Sequence, residues 1–185
     1  MHARLQFIFF WIFSVFMVLG ACRRADQKNP SAERAIRDSL FLLVIRDTSG
    51  TFRGVDLGDE RAVVEYLEGI HSAELKTRST LIIRQDFPGL NCLYVRYTFL
   101  RDGSLAEIVA DAYLEKISMG NRLADTLRGY YERRLGPPGQ GMGVYSWHTK
   151  DATGQEPAIL ELKDESEEYG YGKVNMTLYY VPRGL

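Results

Sequence analysis

The sequence predicts an α+β fold: an antiparallel sheet packed by helices. Three observations carry this. Apolar and polar residues alternate over Leu93–Phe99, Ala106–Leu114 and Val174–Tyr180, the pattern of strands buried on one face. Ser31–Asp47 and Met119–Leu135 instead repeat apolar residues every three or four positions, as helices do. Eleven Tyr among 185 residues suit a β-rich composition.

Ser31 can cap the first helix, in which Ala35, Ile36, Leu40, Leu43 and Val44 share a stripe. Phe41–Ile45 fits either the end of that helix or a buried strand, and Ser49-Gly50 breaks it. A Gly-containing phrase, Phe52 to Asp59, leads into a short helix at 60–68. Asp59 is its expected N-cap, Val63, Val64 and Leu67 its inward residues, and Gly69 its stop.

Strand patterns follow. Leu75, Leu81 and Ile83 alternate with Lys76, Arg78 and Arg84, and Pro88-Gly89 then turns the chain. Leu93, Val95, Tyr97 and Phe99 face one way, as do Ala106, Ile108, Ala110, Ala112 and Leu114. Between them Asp102-Gly103 signals a two-residue hairpin. That turn sets Val95 opposite Ala110, Tyr97 opposite Ile108, Tyr94 opposite Asp111 and Thr98 opposite Glu107.

Ser118 is the expected cap of the second long helix, with Leu123, Leu127, Tyr130, Tyr131 and Leu135 as its apolar stripe and Gly136 as its stop. Strands at 144–148, 158–163 and 173–181 complete the chain. The order is helix, three strands, helix, three strands, which divides a single domain, 31–185, into tandem units 31–117 and 118–185.

The amino end is of another kind. His2 and Arg4 precede Phe7–Leu19, an apolar run broken only by Ser14. About thirteen residues is the length of a signal h-region, whereas a membrane-spanning helix needs about 20. The run ends at Leu19-Gly20-Ala21-Cys22, which resembles the lipobox of bacterial lipoproteins.

The resemblance implies cleavage between Ala21 and Cys22, a diacylglyceryl group on the Cys22 sulfur, and a third acyl chain on the freed amine. Small Gly20 and Ala21 suit a peptidase cleft, and two or more chains anchor stably. Residues 1–21 then read as a signal peptide and 22–30 as a polar tether. No acid directly follows Cys22, so the inner-membrane retention pattern of enteric bacteria is missing. The expected location is the cell envelope, at the outer membrane facing the periplasm. An ordinary secretory signal or an uncleaved anchor is the alternative.

Removing residues 1–21 takes away Arg4 and no acid, leaving 22 basic residues against 24 acidic ones, net −2. A near-neutral domain lacks the basic footprint of nucleic-acid binders. With Cys22 lipidated, Cys92 stands alone and no internal disulfide is expected.

No cofactor and no metal is expected. Gly136–Gly143 follows a helix and opens a strand, the reverse of a phosphate loop, and reads as a flexible loop. His71 and His148 stand at element ends without a zinc spacing or a G-x-S-x-G phrase. Cys92 has no activating neighbour in sequence. Asp164–Gly172 is acidic but lacks the calcium-loop spacing, and reads as a solvated hairpin loop. No catalytic residue is assigned.

Two features favour docking. Lys76, Arg78, Arg84 and Arg96 are expected to share the outer sheet face as an interaction face, and Tyr169 and Tyr171 to form an interaction loop. The element order, with the phrase Phe52–Asp59, resembles the tandem α-β modules of β-lactamase-inhibitor-like proteins and of small outer-membrane assembly lipoproteins. The resemblance implies a sheet face or loops exposed to a protein partner; with the lipobox and a small domain lacking a catalytic constellation, the expectation is a non-enzymatic, lipid-anchored protein that binds an envelope protein partner. An envelope hydrolase, or a carrier of a small apolar ligand, is the alternative.

Overall fold

The computed structural model describes residues 39–69, 73–89 and 91–181. They lie within one compact unit, Ile36–Leu185. The fold is α+β, an eight-stranded antiparallel sheet packed by helices. Ala21, Cys22, the tether, the start of the expected first helix and His71 lie outside the described residues.

Helix α1 spans Ser39–Ile45, so Phe41–Ile45 is helical rather than a strand. Its Leu40, Phe41, Val44 and Ile45 are buried. The chain then folds tightly between Phe52 and Val55, whose backbones bond both ways at 3.1 Å. The two residues between them take positive φ, 54° at Arg53 and 85° at Gly54.

Helix α2 is Arg61–Glu68 and ends at Gly69, φ 76°. Glu60, not Asp59, holds its cap position and makes no side-chain bond there. Asp59 instead accepts the Asp56 N–H at 2.8 Å. Val63 is 42% exposed, against expectation. Val64 and Glu68, four residues apart, form the buried stripe, and Val63 lies about 100° around the helix from Val64.

The single strand expected from Leu75 to Arg84 is two, β1 (Ala73–Lys76) and β2 (Thr80–Phe87), joined by a turn closed by Thr77 N–H to Thr80 O, 2.8 Å. An irregularity between Ala73 and Leu75 reverses the facing of β1. Leu75 therefore sits opposite Ile82, away from the core, and Lys76 sits opposite Leu81 on the helix side.

Strands β3 (Asn91–Phe99) and β4 (Leu105–Leu114) pair as the alternation predicts, with Val95 opposite Ala110 and Tyr97 opposite Ile108. Their turn is longer than predicted. Gly103 N–H reaches Leu100 O at 3.1 Å, and Leu100 N–H reaches Ser104 O at 2.9 Å, which leaves a three-residue loop with Gly103 at φ 92°. A bulge at Ala106 absorbs the extra residue and restores the register. Leu105, fully buried, takes the core position expected of Ala106.

Helix α3 spans Ile117–Leu135, with Lys116 rather than Ser118 at its cap position. Leu123, Leu127 and Tyr131 are buried on its inner stripe, and Tyr130 and Leu135 pack at its margin. Gly139–Gly141, expected as loop, is strand β5 paired to β6 (Val144–Lys150). β7 is Pro157–Asp164 and β8 is Gly172–Tyr180. The acidic stretch between them is not an open hairpin loop: it holds a helical turn, α4 (Ser166–Tyr169), with Ser166 fully buried.

The strand order is β1-β2-β3-β4-β8-β7-β6-β5. Two four-stranded meanders, rather than two sets of three strands, meet where β4 pairs β8, with Ile108 opposite Leu178 and Ala110 opposite Met176. Helix α3 connects the meanders and packs on β4, β8, β7 and β6. Its first turn touches the start of β8 through two glycines. A Cβ on Gly120 would lie 2.9 Å from the Gly172 Cα, and one on Gly172 would lie 2.5 Å from the Lys116 carbonyl oxygen.

An ionic centre ties α1, α2 and the sheet together. The Glu68 carboxylate accepts Arg53 Nε at 2.6 Å and Nη2 at 2.8 Å, Arg46 Nη1 at 3.0 Å, and the Tyr97 hydroxyl. Arg53 Nη1 also caps α1 through the Leu43 and Val44 carbonyls, at 2.9 and 3.1 Å. These bonds hold Arg53 in a left-handed conformation that costs a non-glycine residue roughly 1–2 kcal/mol.

Candidate interaction face

The sheet has two unlike faces. Leu81, Val95, Ile108, Leu178, Leu160 and Trp147 point toward the helices and are buried. The opposite face carries partly exposed side chains in rows fixed by the strand register. One row runs Arg84, Tyr94, Asp111, Asn175, Lys163, Val144. The next runs Ile82, Arg96, Val109, Thr177, Glu161, Ser146.

Charged groups on this face are ion-paired or hydrogen-bonded within it. Arg84 Nε lies 2.9 Å from Asp86, and Arg96 lies 3.8 Å from Glu107, which also accepts the Thr98 hydroxyl at 3.2 Å. Asp111 accepts Asn175 Nδ2 at 3.0 Å, and Glu161 accepts the Tyr179 hydroxyl at 2.9 Å. Glu165 takes Lys163 at 2.8 Å and Lys173 at 2.9 Å.

A chain of tyrosines crosses one end of the face. The Arg84 guanidinium sits 5.4 Å from the Tyr94 ring centre. Tyr94 meets Tyr113 edge-on at 5.9 Å, Tyr113 lies 6.3 Å from Tyr171, and Tyr171 lies 5.8 Å from Tyr169. Lys173 Nζ is 4.0 Å from the Tyr169 ring centre. Burial would lower the Lys173 pKa, but its bonds to Glu165 and Tyr169 outweigh this and raise it. The ammonium is thus a fixed charge at neutral pH. Tyrosines packed ring against ring, beside charged groups already bonded to neighbours, lose little entropy and leave few polar groups unpaired on docking.

The four cations expected to share one face divide. Arg84 and Arg96 stand on the open face. Lys76 points to the helix side and pairs with Glu65 of α2 at 3.0 Å, because β1 is irregular. Arg78 sits in the turn between β1 and β2. Tyr169 and Tyr171 do lie together, joined to Tyr113 and Tyr94.

The described residues weighed for catalysis do not converge. His148 lies within β6, not at its end, exposed and opposite Ile159. Cys92 is on the open face at the other side of the sheet, where burial lifts its thiol pKa above the ordinary value despite the nearby Arg84 charge. Among the described residues no group of three or more His, Cys, Asp or Glu has a metal-holding arrangement.

The ionic centre of Arg53, Glu68 and Tyr97 escapes a sequence reading. Its only trace is Glu68 standing four residues after Val64, on the buried stripe of α2.

Comparison with protein-family models, with curated proteins and with solved structures finds no match to this chain.

Proposed function

We propose that the chain is a lipid-anchored cell-envelope protein that works as a non-enzymatic protein-binding module. The open sheet face and its tyrosine chain dock the partner, and acylated Cys22 holds the domain at the membrane, at the outer membrane facing the periplasm. The observation that carries the docking role is the run Tyr94, Tyr113, Tyr171, Tyr169 on a face whose charged groups are ion-paired or hydrogen-bonded within it. The anchor rests on Leu19-Gly20-Ala21-Cys22.

A photo-crosslinking amino acid placed at Tyr113, in cells expressing the chain with Cys22 intact, tests the docking role. One discrete envelope protein should be trapped. The same probe at Asp125, exposed on α3, should not trap it. Equal trapping from both positions would refute docking through the open face.

A further inference from the structure

At the opposite end of the sheet from the tyrosines, the turn between β1 and β2, the tip of the β3–β4 hairpin and the start of α2 border a shallow open cleft of about 650 Å³. Four cations line it: Arg61, Lys76, Arg78 and Arg101. Two carboxylates answer them. Glu65 takes Arg61 at 2.6 Å and Lys76 at 3.0 Å, and Asp102, in the lining, is engaged by the Ser104 N–H at 3.0 Å and its hydroxyl at 2.7 Å.

The cleft therefore holds two positive charges in excess. Arg61 is fixed in place. Its Nη1 donates to the carbonyls of Thr77 and Arg78 at 2.6 and 2.8 Å, and its guanidinium lies over the Phe99 ring at 5.0 Å. Arg78 and Arg101 are exposed and have no ion-pair partner among the described residues. The two fold-imposed turns put both exposed guanidiniums in the lining of one cleft, where their shared positive charge favours an anion.

We propose that this cleft binds a phosphate group, with Arg78 and Arg101 as its jaws and Arg61 as a fixed positive wall. The guanidinium fork matches phosphate oxygens in pairs, and a tetrahedral anion can take donors from both sides at once. A free phosphate and the phosphodiester of a lipid headgroup share this chemistry, a tetrahedral phosphorus bearing anionic oxygens. The site is independent of the open sheet face, and its loss would leave docking there untouched.

Calorimetric titration of the detergent-solubilised full chain tests this, using inorganic phosphate, dihexanoyl phosphatidylglycerol and dihexanoyl phosphatidylcholine as probes. At least one of the first two should bind. Affinity should fall roughly tenfold or more in the Arg78→Gln, Arg101→Gln double variant, the cost of losing charged hydrogen bonds. Arg128→Gln, on α3, should leave it unchanged. Both substituted residues are exposed turn positions, and unchanged thermal unfolding will verify that the variant folds. Binding of inorganic phosphate alone identifies a free phosphate ligand; tighter binding of the glycerol lipid identifies a headgroup. Absence of binding to both, or binding unaffected by the double substitution, would overturn the proposal, as would equally tight binding of phosphatidylcholine, whose phosphate carries a neighbouring ammonium that the cleft's cations repel.

Discussion

Glu68 and Arg53 form a two-point ion pair in the interior, Nε to Oε1 at 2.6 Å and Nη2 to Oε2 at 2.8 Å, with side chains 2% and 1% exposed. Fifteen residues apart in sequence, they join the turn after α1 to the end of α2. The Tyr97 hydroxyl binds the same carboxylate from the sheet. Removing one partner strands the other charge in the core.

Glu68→Ala should therefore cost about 3–5 kcal/mol, the usual cost of halving a buried pair. Arg53→Met with Glu68→Leu should lose less than the single variant, because no charge is stranded. Urea unfolding monitored by the fluorescence of Trp147 measures both. A single variant within about 0.5 kcal/mol of the parent would show that water reaches this centre.

Acid should weaken the same centre. Burial pushes the Glu68 carboxyl up, but Arg53, then Tyr97 and Arg46, pull it down further, and the net value lies below the ordinary 4.5. A lowered carboxyl pKa contributes stability in full above the unfolded value. That contribution is lost as pH falls through the folded value. Stability should thus decline below about pH 4.5, and Glu68→Gln should flatten that part of the curve. An unchanged slope in Glu68→Gln would place the acid sensitivity elsewhere.

Gly120→Ala should destabilise by about 1–3 kcal/mol, since the new methyl meets the backbone of Gly172 and the Ser166 hydroxyl. Gly141→Ala is the control: nothing lies within 4 Å of a Cβ there, and the expected change is within about 0.5 kcal/mol. Thermal melts of the two variants read the difference.

Cys92 should alkylate slowly at neutral pH. Its raised pKa keeps the thiol protonated, so the iodoacetamide rate should climb as pH rises toward and past 9. A fast, pH-independent reaction at pH 7 would mean a thiolate held by a group other than Arg84.

Cys22→Ala should abolish acylation and leave the signal uncleaved at Ala21. Metabolic labelling with a fatty-acid analogue, followed by mass determination of the amino terminus, checks it. Retained label would move the attachment point away from Cys22.

Local signals made much of the sheet legible. The alternation in Leu93–Phe99 and Ile108–Leu114 placed the pairs Val95–Ala110 and Tyr97–Ile108 correctly, even though the turn between them is one residue longer. The bulge at Ala106 is what reconciles the two, and no local pattern announces it. The irregularity in β1 is equally silent, and it moved Leu75 and Lys76 to faces opposite those expected. β5 leaves no trace in the sequence because Gly139-Gln140-Gly141 has no alternation to read and forms a strand by pairing with β6. Of the interaction face, Arg84, Arg96 and the tyrosine loop could be placed from parity and turn residues. Tyr94 and Tyr113 join that loop through strand neighbours far apart in sequence. The Arg53–Glu68 centre depends on tertiary contact alone.

The sheet stops on either side at its two shortest strands. β1 has four residues and carries Glu74 and Lys76; β5 has three, directly after Pro138. A bare strand edge is a template for another chain, and few, charged or proline-flanked ladder positions remove most of its pull. Copies crowded together at high local density should therefore stay separate rather than zip laterally into fibres.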